Sequence, residues 1–532
     1  MLKDKTGFAK NEALFCRISF RRRSGKSRNF IACFARKQLS FLSGVLVKTQ
    51  IWLLWIVFWV AGCSFAPPYQ RPRQDLPGTW ETAAENSIEV RWWRHFEDPL
   101  LDLLVAEALV HNRDIAAALA RVEQAAANAG FVTSRMAPTP EATAARTQYW
   151  DSTRTAGAPP DGYQKYREYS LYLGASWELD FWGKYRNAAK AARAELAASE
   201  ADRDTVFLLV TGNTVRSYFD LLGYEFQEKI AEKTLDQRLR ALDFYRANEE
   251  FGFYSRTDLL RAASEVATTR YNLALARLGR DQAQSTLLLL LGRSPAAIME
   301  DHQLATDRRL AALPSAPLVP AGLPSLLLER RPDLRSAEQD LIKAHFDIGV
   351  VRADYFPAVS LSGVYGSAAQ GSHDLGREAA KSWSYGLSLR LPLDFWQTRF
   401  REQMADARCR EAAANYEKAV QAAFKDVRDA LTRQNYLADA ATALTGRLEN
   451  LEEAVAHAED RYRNGYSSFI DLLDAERSLF DTQLNWAQNR TLHLHAMVDL
   501  IMALGGGWED DPSNRPLLPR ISTRDFPQGE QP

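Results

Sequence analysis

The sequence predicts a mixed α/β membrane protein that is built from an internal duplication. Three observations lead to this fold class. Residues recur in the same order at a nearly constant separation, two stretches of more than 60 residues are almost free of glycine and proline, and shorter segments alternate apolar with polar side chains. The two periodicities, about 3.6 and 2 residues, are those of helices and strands. Each half of the chain is therefore expected to contain long helices and one β-hairpin.

The charges are divided unevenly along the 532 residues. Residues 1–62 contain 12 basic and 2 acidic residues, whereas the remainder contains 54 basic and 65 acidic residues. Because an acidic body repels nucleic acid, we expect no nucleic-acid partner. The four cysteines, Cys16, Cys33, Cys63 and Cys409, do not have the spacing of a metal or redox site, which argues against a zinc ribbon and a disulfide scaffold.

The N-terminal region is typical of an export signal. Ten apolar residues, Ile51–Val60, are too few to cross the ~30 Å bilayer core as a helix, but they have the length of a signal-peptide core. The four residues that end at Cys63 resemble a bacterial lipobox, in which the cysteine receives a covalent lipid. We therefore expect a signal peptide over residues 1–62, a lipid on Cys63 and an extended, lipidated tether over residues 63–94.

About 50 residues precede the apolar segment, so we expect that the start codon is assigned too far upstream. A twin-arginine signal based on Arg21-Arg22 is the alternative explanation of this long N-terminus. The alternative to a lipid site is a buried helix that ends in an ordinary cysteine. Ser64 after the lipidated residue favours the outer membrane. The predicted location is the cell outer membrane, lipid-anchored, with the chain extending into the periplasm.

Internal similarity indicates a duplication. Residues 112–125 align with residues 331–344 at an offset of 219, and Gly252 aligns with Gly465 at an offset of 213. The difference in offset indicates one loop of variable length on a repeated scaffold. We therefore predict a first structural repeat at 95–310, a linker at 311–324, a second structural repeat at 325–507 and a disordered tail at 508–532.

Long helices dominate both repeats. Residues 184–247 and 397–460 are rich in Ala, Glu, Lys, Arg and Leu, which favours helices on the order of 90 Å long. Many alanines permit close packing of neighbouring helices, as in coiled coils. Residues 258–291 and 468–503 are expected to be their antiparallel partners.

Each repeat also contains a predicted hairpin, at about 141–181 in the first and about 358–395 in the second. Trp383, Tyr385 and Leu387 alternate with serine and glycine, so one face of the hairpin is apolar and rich in aromatic residues. The hairpin either packs on helices or belongs to a membrane β-barrel with strands of ~9–11 residues. Since four strands cannot close a barrel, the second interpretation requires oligomerisation, and a trimer would give twelve strands.

Several dispersed motifs over residues 63–507 resemble the TolC-like outer-membrane efflux channel family, in its lipoprotein branch that works with resistance–nodulation–division (RND) pumps. The motifs are Trp92-Trp93 with Phe96–Leu100, Ser176–Gly183, Leu323–Leu334 with Ala337-Glu338, Ala353–Leu361 and Arg461–Leu479. The resemblance implies a homotrimer with a twelve-stranded β-barrel in outer-membrane lipid and a long coiled-coil helical barrel in the periplasm. It also implies passive conduction of drugs, toxic compounds or ions, with a periplasmic adaptor (membrane fusion) protein and an inner-membrane RND-type pump as partners.

The family closes its tunnel at the periplasmic helix tips, and the matching motif here is Ile470–Arg477. By that resemblance, Ile470, Asp471, Asp474 and Arg477 form the gate, with carboxylate rings from Asp471 and Asp474. The two aspartates are three residues apart and so lie on one side of a helix. Like charges that meet near a threefold axis suit a cation-sensitive gate. The alternative is a solvated helix start, where aspartate is favoured.

The sequence contains no catalytic motif. Phosphate-binding loops, a dinucleotide fingerprint and a nucleophile elbow are all missing, and His493 and His495 point in different directions on a helix. We therefore expect no enzymatic activity, no metal and no cofactor other than the lipid on Cys63. Two alternatives are an outer-membrane channel for type I protein secretion and a coiled-coil lipoprotein scaffold without a pore. The sequence does not identify the transported substrate.

Overall fold

A computed structural model of the chain describes residues 65–75, 91–150, 165–300 and 324–506. All of these residues belong to the unit Ser64–Pro532. The predicted signal peptide, the lipid site Cys63, nearly all of the predicted linker and the C-terminal tail lie outside the described residues.

Helices and strands follow the same order in both halves of the chain. After a short 3-10 helix at Trp92–Phe96, the first half contains α1 (Pro99–His111), α2 (Arg113–Ser134), β1 (Thr139–Trp150), β2 (Lys165–Leu179), α3 (Lys184–Glu250), α4 (Arg256–Leu290) and α5 (Pro295–Met299). The second half contains α6 (Pro324–Arg330), α7 (Pro332–Ala353), β3 (Ala358–Ala369), β4 (Lys381–Arg390), α8 (Phe395–Arg463) and α9 (Phe469–Ala503). The series α2–β1–β2–α3–α4 therefore recurs as α7–β3–β4–α8–α9.

The two longest helices confirm the helical predictions for this part of the chain. Helix α3 has 67 residues and α8 has 69, which corresponds to roughly 100 Å each. Both helices end just before a glycine with positive φ, Gly252 at 77° and Gly465 at 75°, a conformation that glycine adopts at little cost. The chain then turns, and a serine caps the next helix: Ser255 caps α4 and Ser468 caps α9.

The long helices pack side by side in a layer. Helix α4 packs on α3, α3 on α9, and α9 on α8, so that α4 and α8 lie at the two edges. Beyond the ends of α4 and α9, the helices α2 and α7 pack on the remaining lengths of α3 and α8. The main core lies where α1, α3, α4 and α9 meet, and its largest buried side chains include Trp92, Tyr218 and Phe219. Among the described residues, no helix is both long enough and apolar enough to cross a bilayer.

The four strands form one antiparallel sheet in the order β1-β2-β3-β4. The two predicted hairpins are present as β1–β2 and β3–β4, and β2 pairs with β3 to join the two halves of the chain. The interpretation of each hairpin as packed on helices is not supported, because large apolar residues such as Leu387 and Leu389 are 70% exposed. Strands β1 and β4 are the two edges of the sheet.

The pairing register places apolar side chains from all four strands on one face, since paired residues of an antiparallel sheet point to the same side. Leu173 pairs with Tyr365, which pairs with Trp383. The apolar face contains Ala142, Ala144, Leu171, Leu173, Ala175, Trp177, Leu179, Val359, Leu361, Tyr365, Trp383, Tyr385, Leu387 and Leu389. The opposite face is dominated by serine, glycine and threonine, and its charged residues, Glu141, Glu168, Glu178 and Arg390, lie toward the strand ends.

The motif that contains Arg331 closes the C-terminal end of α9. Arg331 is 9% exposed, and its Nη1 donates a hydrogen bond of 3.0 Å to the carbonyl oxygen of Ala503. Two further bonds, of 3.1 and 2.8 Å, join its guanidinium to both carboxylate oxygens of Asp333. In the first half, Asn112 holds the end of α4 in the same way, with Nδ2 donating to the carbonyl oxygen of Leu290 at 2.8 Å. Both side chains satisfy a carbonyl that the helix itself leaves unpaired.

We predict that Arg331→Ala lowers the free energy of unfolding by ~1.5–3 kcal/mol, the cost of losing hydrogen bonds to a charged group. The nearby exposed variant Glu329→Ala is the control, and it is expected to change stability by less than ~0.5 kcal/mol, as for an ordinary surface substitution. Denaturant unfolding of the detergent-solubilised protein, followed by circular dichroism, measures both. Equal effects of the two variants would show that Arg331 does not hold the α9 terminus.

Candidate functional site

The sheet exposes an apolar face and two edges, which a β-sheet in water normally covers. Its apolar face is open, with Trp383 69% and Tyr385 78% exposed, and both edge strands lack a neighbour within the described chain. Exposed apolar patches of this kind mark contact with a membrane or another protein. Aromatic side chains gather toward the loop end of the sheet, where Trp383 stacks on Tyr385 with ring centroids 5.9 Å apart.

The segment that follows the predicted lipid site is fixed beside the base of this sheet. Phe65 stacks on Phe356, with ring centroids 4.5 Å apart, and Trp182 stacks on Phe356 at 4.8 Å. Trp182 also donates a hydrogen bond of 2.8 Å to the carbonyl oxygen of Pro357, at the start of β3. Phe65 is two positions after Cys63, which itself lies outside the described residues.

The same segment then runs along α7. Arg71 binds Glu338 through two bonds, Nε to Oε1 at 2.7 Å and Nη2 to Oε2 at 2.5 Å, and Tyr69 donates to Oε1 at 2.9 Å. Burial and the Glu338 hydrogen bond raise the pKa of Tyr69 well above its usual value. The residues described between 65 and 75 are thus held by specific contacts. This finding refines the prediction of an extended tether.

The other end of the molecule contains the two helix turns, which are held together by tyrosines. The hydroxyl groups of Tyr245 and Tyr462 are 2.8 Å apart, and Tyr462 donates to Tyr254 at 3.0 Å. Phe469 packs on Tyr245 with ring centroids 4.2 Å apart. Burial raises the pKa of Tyr462 to about 12. The α3–α4 and α8–α9 turns are therefore at the same end of the layer.

The four residues of the predicted gate lie at this end, on the first three turns of α9. Ile470 is 40% exposed, although it is a large apolar residue. Asp471 accepts hydrogen bonds from the backbone nitrogen of Ser468 at 3.0 Å and from its hydroxyl at 2.9 Å. These bonds form a capping box, so Asp471 has the structural role that was the alternative to a gate.

Asp474 and Arg477 do not belong to the capping box of α9. Asp474 is 66% exposed, and its Oδ1 is 3.8 Å from Nη1 of Arg477. The other side of the Arg477 guanidinium approaches Glu265 on α4, with Nε and Oε1 4.0 Å apart. Arg477 thus links α9 to a helix of the first repeat. The first half of the chain repeats the cap through Ser255 and Asp258, but Arg261 occupies the place of Asp474.

Sequence reasoning missed a buried ionic cluster above the turns. Arg238 on α3 is 5% exposed, and its Nη1 is 2.9 Å from Oε2 of Glu265 and donates to Oγ1 of Thr269 at 2.6 Å. The guanidinium lies over the Phe480 ring, 5.1 Å from its centroid. Within the described residues, Nε and Nη2 of Arg238 have no hydrogen-bond partner. No periodic pattern signalled this cluster, because its residues belong to three helices that are distant in sequence.

Glu476 faces the same cluster and lines a groove of about 1160 Å³ between α3, α8 and α9. Burial raises the pKa of Glu476, and the positive charge of Arg238 offsets part of that rise. The groove also contains Lys229, Lys233 and Arg240, so its polar lining is mixed in charge. Among the described residues, no group of three or more His, Cys, Asp or Glu side chains has the geometry of a metal site.

Comparison with known proteins gives one consistent family. The model of the "Outer membrane efflux protein" family matches residues 104–293 and 323–506, one segment in each half of the chain. The chain is 31% identical over 463 residues to the cation efflux system protein CusC of Escherichia coli O6:H1, covering 85% of this chain and 97% of that protein. It is also 31% identical over 477 residues to the probable outer membrane lipoprotein SilC of Salmonella typhimurium, covering 87% and 100%.

Two further proteins extend the comparison. The pyoverdine export outer membrane protein OpmQ of Pseudomonas aeruginosa is 32% identical over 460 residues, covering 85% of this chain and 95% of that protein. Among solved structures, the open state of the MtrE outer membrane channel of Neisseria gonorrhoeae superposes with a TM-score of 0.75 and 28% identity, covering 84% and 99%.

We predict that Glu476→Gln stabilises the protein at pH 7. Because burial raises the pKa of Glu476 in the folded state, the native protein binds this proton more tightly than the unfolded chain, and stability falls as the pH rises through the unfolded and then the folded pKa. Glutamine removes the buried charge, so the gain should be present at pH 7 and absent near pH 4. Thermal unfolding at both pH values measures it, with the exposed Glu452→Gln as control; a gain of the same size at both pH values would contradict the prediction.

Proposed function

The chain belongs to the outer membrane efflux protein family, and from this premise we propose that it is the channel subunit of a tripartite efflux system and acts as a homotrimer. It resides in the outer membrane, as its relatives do. The observation that carries the trimer is the four-stranded sheet with one exposed apolar face and two open edges.

A sheet in lipid must pair both edges, because unpaired backbone groups have no water to bond with. Four strands are too few to close, whereas three copies supply twelve. Strands of 10 to 15 residues are long enough to span the bilayer. Arg146, Lys165 and Arg167 share the apolar face with the aromatic residues but lie near the loop end, where a headgroup layer would solvate them.

The helices extend the pore away from the membrane. Helices of roughly 100 Å that start at the base of the sheet form, in three copies, a tunnel that reaches toward an inner-membrane pump. The sequence contains no nucleotide-binding loop, so transport energy comes from elsewhere. We therefore assign conduction to this chain, energy to an RND-type pump and the connection between them to a periplasmic adaptor.

The relatives are named for different cargoes. CusC is a cation efflux protein, whereas OpmQ exports pyoverdine. The sequence identity of the chain to CusC, 31%, and to OpmQ, 32%, is nearly equal. We infer that this scaffold serves ions as well as small organic molecules. We propose that this channel conducts what its pump delivers, in the class of toxic ions, drugs or other small solutes.

A lipid on Cys63 fits this arrangement. Phe65 is fixed at the junction of helices and strands, and a lipid two residues earlier would reach the periplasmic leaflet that surrounds the barrel. Phe65 follows Cys63 by two positions, which corresponds to at most ~7 Å along the chain. The lipid thus adds an anchor beside the barrel.

We propose that the gate of the channel lies at the helix tips. We assign the exposed carboxylate to Asp474, because Asp471 is engaged in the cap of α9 and Arg477 is shared between Asp474 and Glu265. Three copies of Asp474 around a threefold axis would repel one another and bind a multivalent cation. Ile470, which is exposed on the preceding turn, would narrow the same opening.

We predict that Leu387→Arg on the apolar face prevents assembly in the outer membrane, because a charge at mid-bilayer costs ~2–4 kcal/mol per strand and occurs three times in a trimer. Ser388→Arg, the next residue on the opposite face, should assemble normally, since that face would line water. The measurements are membrane fractionation, a heat-labile trimer band and accumulation of efflux substrates in cells.

Cys63→Ala separates anchoring from assembly in the same experiment. It should remove the lipid, detected by mass spectrometry, and leave the trimer intact. Normal assembly of Leu387→Arg, or a wild-type protein that is a soluble monomer, would overturn the channel and favour a scaffold without a pore.

We predict that Asp474→Asn relieves block of the reconstituted channel by a trivalent cation. The loss of three carboxylates should weaken block about tenfold or more, which corresponds to ~1.4 kcal/mol of lost attraction. Planar-bilayer conductance with the cation added at the helix-tip side measures this. Asp258→Asn, the counterpart of Asp471 in the first repeat, is the control, and unchanged block in Asp474→Asn would remove Asp474 from the gate.

A further inference from the structure

The helix layer has two open edges, as the sheet does. Helix α4 packs on α3, and α8 packs on α9. The outer sides of α4 and of lower α8, residues 437–463, face no other long helix of the described chain. In a closed ring of three copies, the edge formed by α4 must meet the α8 edge of the next copy. The two edges should therefore be complementary.

Helix α4 has an exposed stripe at coiled-coil spacing. Its large members are separated by three, four or eleven residues, and eleven residues are close to three full turns. All are about half exposed or more: Leu260 (57%), Tyr271 (63%), Leu275 (46%), Leu278 (52%) and Leu289 (66%). The positions between them, Ser264, Ala267, Gln282 and Ser285, are small or polar and exposed. A stripe of this period is typical of a helix that packs on another helix.

The stripe points away from the rest of the chain. Val266 is buried against α3, and Leu275 is nine residues further on, which places it about 180° around the helix. Leu278 lies about 140° from the buried Leu273 by the same count. These large side chains thus project from the outer edge of the layer.

The lower part of α8 is equally uncovered. After Gln434, α8 contains no buried residue up to its end at Arg463. Gly446 is the only glycine in this helix of 69 residues, and a Cβ added there would meet nothing within 4 Å. Glycine inside an exposed helix costs roughly 1 kcal/mol relative to alanine, and no contact among the described residues requires glycine at position 446. Glycine at such a place permits close approach of another element.

The two features lie at the same height. The tyrosine contacts place both helix turns at one end, and heights are counted from there at 1.5 Å per residue. Tyr271 and Leu275 are then roughly 22 and 28 Å above the start of α4, and Gly446 is roughly 26 Å above the end of α8. Thr442, also exposed, is one turn above Gly446.

We propose that Tyr271 and Leu275 of one copy pack against Gly446 on α8 of the next copy, which closes the helical tunnel. The occupant of the α4 stripe is a second copy of this chain, and the proposal rests on the trimer proposed above. Large side chains on one helix meet a residue without a side chain on the other, so the backbones approach closely. The corresponding position in the first repeat is Lys233, which fits a role that only α8 has.

Charges at this edge are complementary as well. The exposed Arg270 of α4 and the exposed Glu449 of α8 both lie roughly 21 Å from the turns. Near the turns, Arg261 is level with Asp460 to within one helical turn. Lower α8, over residues 437–463, contains six acidic and three basic residues, whereas α4 contains five arginines and three acidic residues. Opposite charges that flank an apolar seam fix its register.

Cross-linking of the full-length protein in detergent tests the contact. In a Cys409→Ala background, the double variant Arg270→Cys/Glu449→Cys, treated with a short bis-maleimide, should give covalent trimers on a denaturing gel. Adding Gly446→Leu should reduce that yield about tenfold, corresponding to ~1.4 kcal/mol of lost packing, and lower the temperature at which the trimer dissociates. Leucine favours helix more than glycine does, so weaker helix formation cannot explain such a loss.

Two controls define the outcomes. Thr445→Leu adds a similar side chain about 100° around α8 and should change neither yield nor dissociation temperature. Arg270→Cys/Arg408→Cys places the second thiol on upper α8 and should give no product. Three results would overturn the proposed contact between α4 and α8. They are a double-cysteine variant that forms trimers but is not cross-linked, a Gly446→Leu variant with unchanged yield, and a cross-link that appears only when an adaptor is added. A wild-type protein that forms no trimer would instead refute the proposed function.

Discussion

The edges of the four-stranded sheet are the constraint on which the rest of the molecule depends. Within the described residues, the outer edges of β1 and β4 have no partner strand, and one face of the sheet between them is apolar and exposed. In lipid, only a closed sheet satisfies those groups. In the proposed trimer, a closed sheet would impose threefold symmetry on the helices that continue from it, because α3 starts five residues after β2 and α8 five residues after β4.

Duplication supplied one scaffold with two sets of side chains. Asn112 and Arg331 both bind a carbonyl at the end of a long helix, but only the arginine also engages Asp333. Both helix turns begin with a serine cap and an aspartate, whereas the next turn has Arg261 in one copy and Asp474 in the other. The caps that hold the helix ends are therefore repeated in both halves, whereas the charged groups beside them differ.

The local elements could be predicted from sequence because they depend on periodicity and on turn chemistry. Helix α9 was expected at 468–503 and occupies Phe469–Ala503, and the predicted second hairpin contains both β3 and β4. The pairing of β2 with β3 was not predictable, since it joins segments about 190 residues apart. The capping role of Asp471 and the burial of Arg238 against Glu265 also depend on tertiary contacts that no pattern encodes.

The distribution of charge along the molecule suggests where selectivity resides. The polar face of the sheet consists mainly of serine, glycine and threonine, with charged residues only toward the strand ends, so a pore lined by it has little means of distinguishing ions. Lower α8 and the start of α9 are acidic, with Glu449, Glu453 and Asp474 exposed. In the proposed tripartite system, a solute that the pump and adaptor deliver would meet fixed charge at the helix tips and then pass a nearly neutral barrel. Under that proposal, selection belongs to the charged section at the helix tips rather than to the barrel.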